Sequence, residues 1–165
     1  MIIVYNRNKT ALCSIYDGIR DEMRIYSYCD TIDNAAASLA GNVAALFGAE
    51  SISTLNINKL PSLKDRYFMI NGKSFMMIGS NTQINVMYDG HFHADCLIVS
   101  NNTYITPYEV QNVFDAGEVV FDSSNSAWFV DKREKELHDL NIRTHYVGRD
   151  GAFAFGDGID AMECY

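Results

Sequence analysis

Apolar and polar positions follow one rhythm in the first half of this chain and another in the second. The first half is built of short apolar runs separated by turn residues. Ile2–Tyr5 and Ala11–Tyr16 predict strands on either side of the polar break Asn6-Arg7-Asn8-Lys9. Asp17-Gly18, followed by Met23–Tyr28, predicts a hairpin and a third strand. Met23-Arg24-Ile25-Tyr26-Ser27-Tyr28 alternates as a strand with one wet face does. Thr31 to Phe47 reads as a helix. Thr31 or Asp33 can cap its start, Gly48 can take the left-handed position after its end, and Leu39, Val43, Leu46 and Phe47 recur at helical spacing. Gly41 and Asn42 sit in its middle against propensity. Ser51–Ile57 predicts a strand, and Tyr67–Ile70, Asn71-Gly72 and Lys73–Ile78 form the clearest hairpin signal in the chain. Met69, Met76 and Met77 on that hairpin read as gap-filling core residues. Ile84–Tyr88 adds a strand closing at Asp89-Gly90.

The second half reads as strand, helix, strand. Cys96–Ser100 is a continuous apolar run, expected of a strand covered on both faces. Thr106-Pro107-Tyr108-Glu109 has the form of a capping box with proline at the first helical position, so a helix is predicted from Pro107 to Phe114. Val119–Phe121 is a second buried strand. Ser126 caps a helix running through Val130, Leu137 and Leu140, and Arg143–Val147 and Ala152–Phe155 complete the strands. Such alternation implies right-handed crossovers and parallel pairing. The expected fold class is α/β with α+β character: a hairpin-rich front and a βαβ-rich back, two mixed sheets sandwiched between helices. Residues 1–155 form one domain and residues 156–165 a tail that frays.

A polar cluster follows each of the first two back-half strands. In open α/β sheets ligands bind beyond the carboxyl ends of parallel strands. Asn101, Asn102, Asp122, Ser124 and Asn125 are therefore the candidate binding cleft, and they are amides, hydroxyls and one carboxylate. The bland reading is that Ser124 and Ser126 only cap the next helix.

Composition narrows the partners. The chain has 165 residues, 48% of them hydrophobic and 21% charged, which suits one globular domain. Its net charge of −8 disfavours broad binding to phosphate backbones. Lys132-Arg133-Glu134-Lys135-Glu136 alternates in sign like a solvated helix face. Four cysteines, Cys13, Cys29, Cys96 and Cys164, are widely spaced without a C-x-x-C pair, which favours reduced thiols in a cytoplasmic setting. No signal-peptide pattern opens the chain, and no run of about 18 apolar residues occurs to span a membrane.

His91-Phe92-His93-Ala94-Asp95 is the one metal-like motif, because two imidazoles and a carboxylate at H-x-H-x-D spacing can wrap zinc or manganese. A hydrolytic site needs further ligands from other loops, and only His138 and His145 remain. There is no G-x-S-x-G elbow and no G-x-x-x-x-G-K phosphate loop.

Ile3-Val4-Tyr5-Asn6, Tyr16-Asp17-Gly18, Asp95 through Asn102, Phe121 through Ser126 with Trp128, and Val147 through Phe153 fall in a familiar order. In that order the chain resembles the carboxyl-terminal, metallo-β-lactamase-like domain of ComEC-type competence proteins, in the divergent form found in Bacteroidetes. The resemblance covers Ile2 to Phe155 and implies an αββα sandwich in an inner-membrane protein that passes single-stranded DNA into the cell. Active relatives carry a His-His-Gly where this chain has Asn101-Asn102-Thr103, and a glycine-rich turn followed by Gly-His-Pro where it has Ser123-Ser124-Asn125-Ser126-Ala127 and no histidine. Their first-half H-x-H-x-D-H loop is replaced by the helix beginning near Asp33. The resemblance thus implies a pseudoenzyme without catalytic residues or metal. It would serve assembly or binding against the transmembrane part of the same parent protein or other uptake proteins, with weak or no direct DNA contact and no membrane insertion. Its place would be the cytoplasmic side of the inner membrane. The alternatives are an active metal-dependent hydrolase or nuclease using His91, His93 and Asp95, and a small-molecule or nucleotide-binding module using Asp122, Ser124 and Asn125.

Overall fold

The computed structural model describes residues 1–7, 11–28, 34–60, 66–80, 82 and 92–156. Its strands are β1 (Ile2–Val4), β2 (Leu12–Asp17), β3 (Glu22–Ser27), β4 (Ser51–Asn56), β5 (Tyr67–Ile70), β6 (Lys73–Ile78), β7 (Cys96–Val99), β8 (Glu118–Phe121), β9 (Arg143–Tyr146) and β10 (Phe153–Phe155). The helices are α1 (Asn34–Leu46), α2 (Ala127–His138) and the single turn α3 (Val147–Asp150).

The strands form two five-stranded mixed sheets, ordered β10-β1-β2-β3-β4 and β5-β6-β7-β8-β9. In the first, β1, β2 and β3 form an antiparallel meander, while β3 and β4 are parallel across the α1 crossover. The second starts with the predicted β5–β6 hairpin and continues in parallel through β7, β8 and β9. Asn71 and Gly72 in that hairpin have φ of 48° and 75°, the left-handed pair a tight turn of this kind demands.

Alternation along the strands sorts the core into three clusters. Ile3, Tyr5, Leu12, Met23 and Ile25 face Ala40, Val43 and Ala44 of α1. Their neighbours Ile2, Val4, Cys13, Ile15 and Tyr26 face Phe75, Met77, Cys96, Ile98 and Val120 of the second sheet. That sheet's other face, with Met76, Ile78, Leu97, Val99, Val119 and Phe121, packs against Val110, Phe114, Val130 and Leu137. The layer order is helix, sheet, sheet, helix. Of the parallel strands, β7 is buried throughout and β8 from Val119 to Phe121, which explains their unbroken apolar runs.

Four details differ from the sequence reading. The capping box forms, with Thr106 N and Oγ1 each 2.7 Å from Glu109 Oε2 and Glu109 N 3.1 Å from Thr106 Oγ1. The helix behind it, however, is a π-turn over Glu109–Val113. Met69 is 60% exposed because β5 is an edge strand. Arg133 is buried rather than solvated: it shares the inward face of α2 with Phe129 and Leu137 and lies 4.7 Å from the Tyr104 ring centre. Val147 starts α3 instead of ending β9. The predicted strand Ile84–Tyr88, the helix caps Thr31 and Asp33, Cys29, Cys164, His91 and residues 157–165 lie outside the described residues.

Candidate functional site

The two strands that organise the candidate cleft, β7 and β8, lie side by side, so the segments after them meet. After β7 the chain reverses through Asn101 and Asn102, whose φ values of 56° and 51° are left-handed and suit asparagine. Thr103 holds the turn by donating N–H and Oγ1 to Ser100 O at 3.1 and 2.6 Å. After β8, Asp122 N still donates to Val99 O at 3.1 Å, and the chain folds over itself as Asn125 N bonds to Asp122 O at 3.2 Å.

The structure brings all five cleft residues together, and it turns them on one another. Asn101 N donates to Ser124 Oγ at 2.7 Å, and Asn102 N to Asn125 Oδ1 at 2.9 Å. Asn125 Nδ2 donates to Val99 O, Asp122 O and Asp122 Oδ1 at 2.7, 3.0 and 3.1 Å. Asn102 Oδ1 accepts from Ser126 N at 2.8 Å, while Ser126 Oγ caps α2 at Phe129 N, 3.3 Å away. Ser126 is thus the helix cap that the bland reading expected. Ser124 instead cross-links the two strand tips.

Asp122 is the hub. Its carboxylate accepts from Ser100 Oγ at 2.5 Å, from Ser124 Oγ, and from Ser124 N at 3.0 Å. Only 2% of the residue is exposed, and burial pushes its carboxyl up to about 6 against the opposing pull of those hydrogen bonds. Two further residues, not singled out in the sequence, lock the cluster in place. Ser123 donates to Arg7 O at 2.6 Å and accepts from Arg7 N at 3.1 Å, joining the site to the first sheet. Tyr146 Oη donates to Asn125 O at 2.9 Å, joining it to β9. Ser100 was visible as a hydroxyl directly after an apolar strand, but Ser123 and Tyr146 act through contacts more than twenty residues away, which no local pattern shows.

Zinc takes imidazole, thiolate and carboxylate ligands, several at once, with an open position for water in catalytic sites. The strand tips supply one buried carboxylate already receiving hydrogen bonds from Ser100, Ser124 and Asn125, surrounded by amides and hydroxyls. This donor set does not fit the metal.

The H-x-H-x-D candidates stand elsewhere. Asp95 precedes β7 whereas Asn101 follows it, so the length of a strand separates the two groups. His93 lies in the open between Asp95 and Asp115, its ring nitrogens 3.4 and 3.3 Å from their carboxylate oxygens. Asp95 in turn accepts from Ser74 N and Ser74 Oγ, both at 2.7 Å, and these bonds hold its carboxyl below the usual range. Among the described residues, no three His, Cys, Asp or Glu side chains stand together as a metal site would require. His138 closes α2 and His145 lies in β9 with Nε2 at 2.9 Å from Gly151 O. Cys13 and Cys96 are free and buried, and burial pushes both thiols up, away from the reactive thiolate.

Two open cavities, of about 580 and 540 Å³, are lined by none of the five cleft residues. The first is bounded by Met1, Ile15, Ile19, Phe47, Phe68 and Asn71, the second by Glu118, His138, Arg143 and His145. Around the strand tips, beside the exposed Asn101 and Asn102, stand three exposed aromatics: Tyr104 and Tyr108 beyond Asn102, at 61% and 63% exposure, and Trp128 in the first turn of α2, at 76%.

Among the described residues no helix is long and apolar enough to cross a membrane. No curated protein and no solved structure matches the chain. The family model described as ComEC C-terminal domain matches residues 2–156, a span that takes in both sheets, the three helices and every residue of the strand-tip cluster. The chain belongs to the ComEC C-terminal domain family, which gives it a role in DNA uptake.

Proposed function

We propose that this domain is a non-catalytic, metal-free accessory domain of a ComEC-like inner-membrane DNA-uptake protein, derived from a metallo-β-lactamase-like hydrolase and serving assembly or binding. The observation that carries this reading is the closed strand-tip network. Where a hydrolase of this layer order would present ligands to a cation, the side chains of Ser124 and Asn125 are spent on Asp122 and on the backbone of Asn101 and Asn102, and Asn102 Oδ1 is spent on Ser126 N. A buried network of this kind stabilises two loops against one another and leaves no acceptor set to grip a dication.

The exposed Tyr104, Tyr108 and Trp128 supply the binding side of the reading. Large aromatics beside a rigid scaffold are what protein interfaces use as anchors, and the chain's −8 charge favours a protein partner over a phosphate backbone. That partner is the transmembrane part of the parent protein or another uptake protein, met on the cytoplasmic side of the membrane. Residues 1–155 act as one domain in this role.

The test is elemental analysis of protein purified without chelators, combined with a nuclease assay. We expect zinc and manganese well below one ion per chain and no cleavage of single- or double-stranded DNA. Near-stoichiometric metal, together with cleavage that His93→Ala abolishes, would overturn the proposal in favour of the hydrolase reading through His91, His93 and Asp95.

A further inference from the structure

At the ends of β7 and β8 the polar groups close on one another; one strand over, at the end of β6, they do not. β6 pairs in parallel with β7, so its exit, from Gly79 to Thr82, stands at the ligand end of the same sheet. Arg66, the residue before β5, brings its guanidinium there. It is 4% exposed, and it donates from Nη1 to Thr82 Oγ1 at 2.8 Å and from Nη2 to Ile57 O at 3.1 Å. Both acceptors are neutral. Among the described residues no carboxylate pairs with Arg66. The buried carboxylate of Asp122 is bonded instead to Ser100, Ser124 and Asn125. A buried cation held by neutral groups alone is costly, and it calls for a counter-charge.

Two hydroxyls meet this guanidinium around Gly79. Thr82 Oγ1 accepts from Arg66 Nη1 and from Gly79 N at 2.9 Å, so both its lone pairs are taken and its own proton is left to give. Tyr28 Oη is buried and has no hydrogen-bond partner. It lies against Gly79: a β-carbon there would fall 2.1 Å from it, so only glycine admits the phenol. Burial pushes the Tyr28 hydroxyl well above its usual range, with Ser100 and Arg66 beside it pulling the other way. Arg66, Thr82 and Tyr28 are thus donors brought together. Among the described residues their remaining protons have no acceptor.

We propose that Arg66, Thr82 and Tyr28 form a binding site for one small oxyanion, a phosphate or carboxylate group, at the end of β6. The donor set selects this ligand. A cation would find no acceptor, and a neutral molecule would leave the guanidinium uncompensated. The planar fork of arginine matches two oxygens of a carboxylate or phosphate, and the two hydroxyls supply further donors. Thr82 is half-buried, which leaves an approach from solvent. The site is separate from the closed network around Asp122, and it stands or falls independently of whether the domain binds metal.

The experiment is an NMR titration of the isotope-labelled full chain with sodium phosphate and, separately, with sodium acetate, each matched in ionic strength by sodium chloride. The expected result is a saturable shift of the Arg66 side-chain N–H, Gly79 and Thr82 signals with phosphate or acetate and none with chloride. The tighter of the two anions names the source of the group. Tyr28→Phe should weaken binding about tenfold, as the loss of one hydrogen bond to a charged group does. Its midpoint in urea should not fall, because the hydroxyl has no protein partner to lose. Arg66→Met should abolish binding; if that variant does not fold, Tyr28→Phe decides alone. No saturable shift with either anion, or a Tyr28→Phe protein that binds as tightly as the wild type, would overturn the proposal. So would a single-stranded oligonucleotide without a terminal phosphate that moves these signals where neither anion does, since the site would then read a strand.

Discussion

The parallel strands of the second sheet have two ends, and they are built on opposite plans. At the carboxyl ends of β7 and β8, Ser100, Asp122 and Asn125 are buried and bonded to one another, with Asn101, Asn102 and Ser124 closing over them nearer the surface. At the amino ends the groups are charged and closer to solvent: Lys73 meets Glu118 at 2.7 Å, Arg143 approaches the same carboxylate at 3.8 Å, and His93 lies between Asp95 and Asp115. Position in an α/β sheet marks where ligands are customarily met. Here that end has become the rigid one, and the titratable side chains have gathered at the other. Position alone therefore does not identify chemistry; whether the polar atoms are free does.

Substitutions at the two ends should separate these plans. Asn125→Ala should cost most, about 3–4 kcal/mol in urea unfolding, because it removes the side-chain donor to Val99 O, Asp122 O and Asp122 Oδ1, leaves Asn102 N without its acceptor and opens a gap under the loop. A loss below about 1 kcal/mol would show that the network is loose.

Asp122 gives the comparison a pH axis. Its folded-state carboxyl, near 6, stands above its ordinary value of 3.8, so the folded protein binds this proton more tightly than the unfolded chain. The resulting stabilisation is complete below the ordinary value and is lost as pH rises through about 6. Over that window this one group withdraws up to about 3 kcal/mol from the wild type. Asp122→Asn should lack that fall, which unfolding curves at pH 4 and pH 7 would show as a smaller difference between the two conditions.

At the amino end, Glu118→Gln leaves the half-buried ammonium of Lys73 without its anion and should cost about 1–2 kcal/mol, reduced by salt. His93→Ala is the smallest change. The imidazole is well exposed, so unfolding should move by less than about 0.5 kcal/mol and metal content should not move at all.

Much of this arrangement was legible in the residues themselves. Asn71-Gly72 announced its turn, Thr106 and Glu109 their capping box, and Ser126 its helix, because each works through atoms within a few positions of the chain. The five strand-tip residues were legible as a group because a switch from apolar strand to polar turn marks a strand end. Their purpose was not. Whether Asn125 offers its amide to a ligand or to Val99 depends on β7 lying beside β8, a fact of pairing across 26 residues. Arg133 shows the same limit from the other side, since its alternating-charge neighbours concealed that Phe129 and Tyr104 cover it. Met69 was misread because nothing local tells an edge strand from a central one. The family match rests on the whole span from residue 2 to 156 rather than on any one of these motifs.

The pairing of β1 with β10 has a consequence for how the molecule comes into being. Ile2 lies opposite Phe155, so β1 finds one of its two neighbours only after β2 through β9 have been synthesised. Until then the meander holds its outer flank open on the ribosome, and final closure waits on a long-range search of the kind that slows assembly. A ribosome stalled a few codons before Phe153 would release a chain able to form its second sheet but not to seal its first.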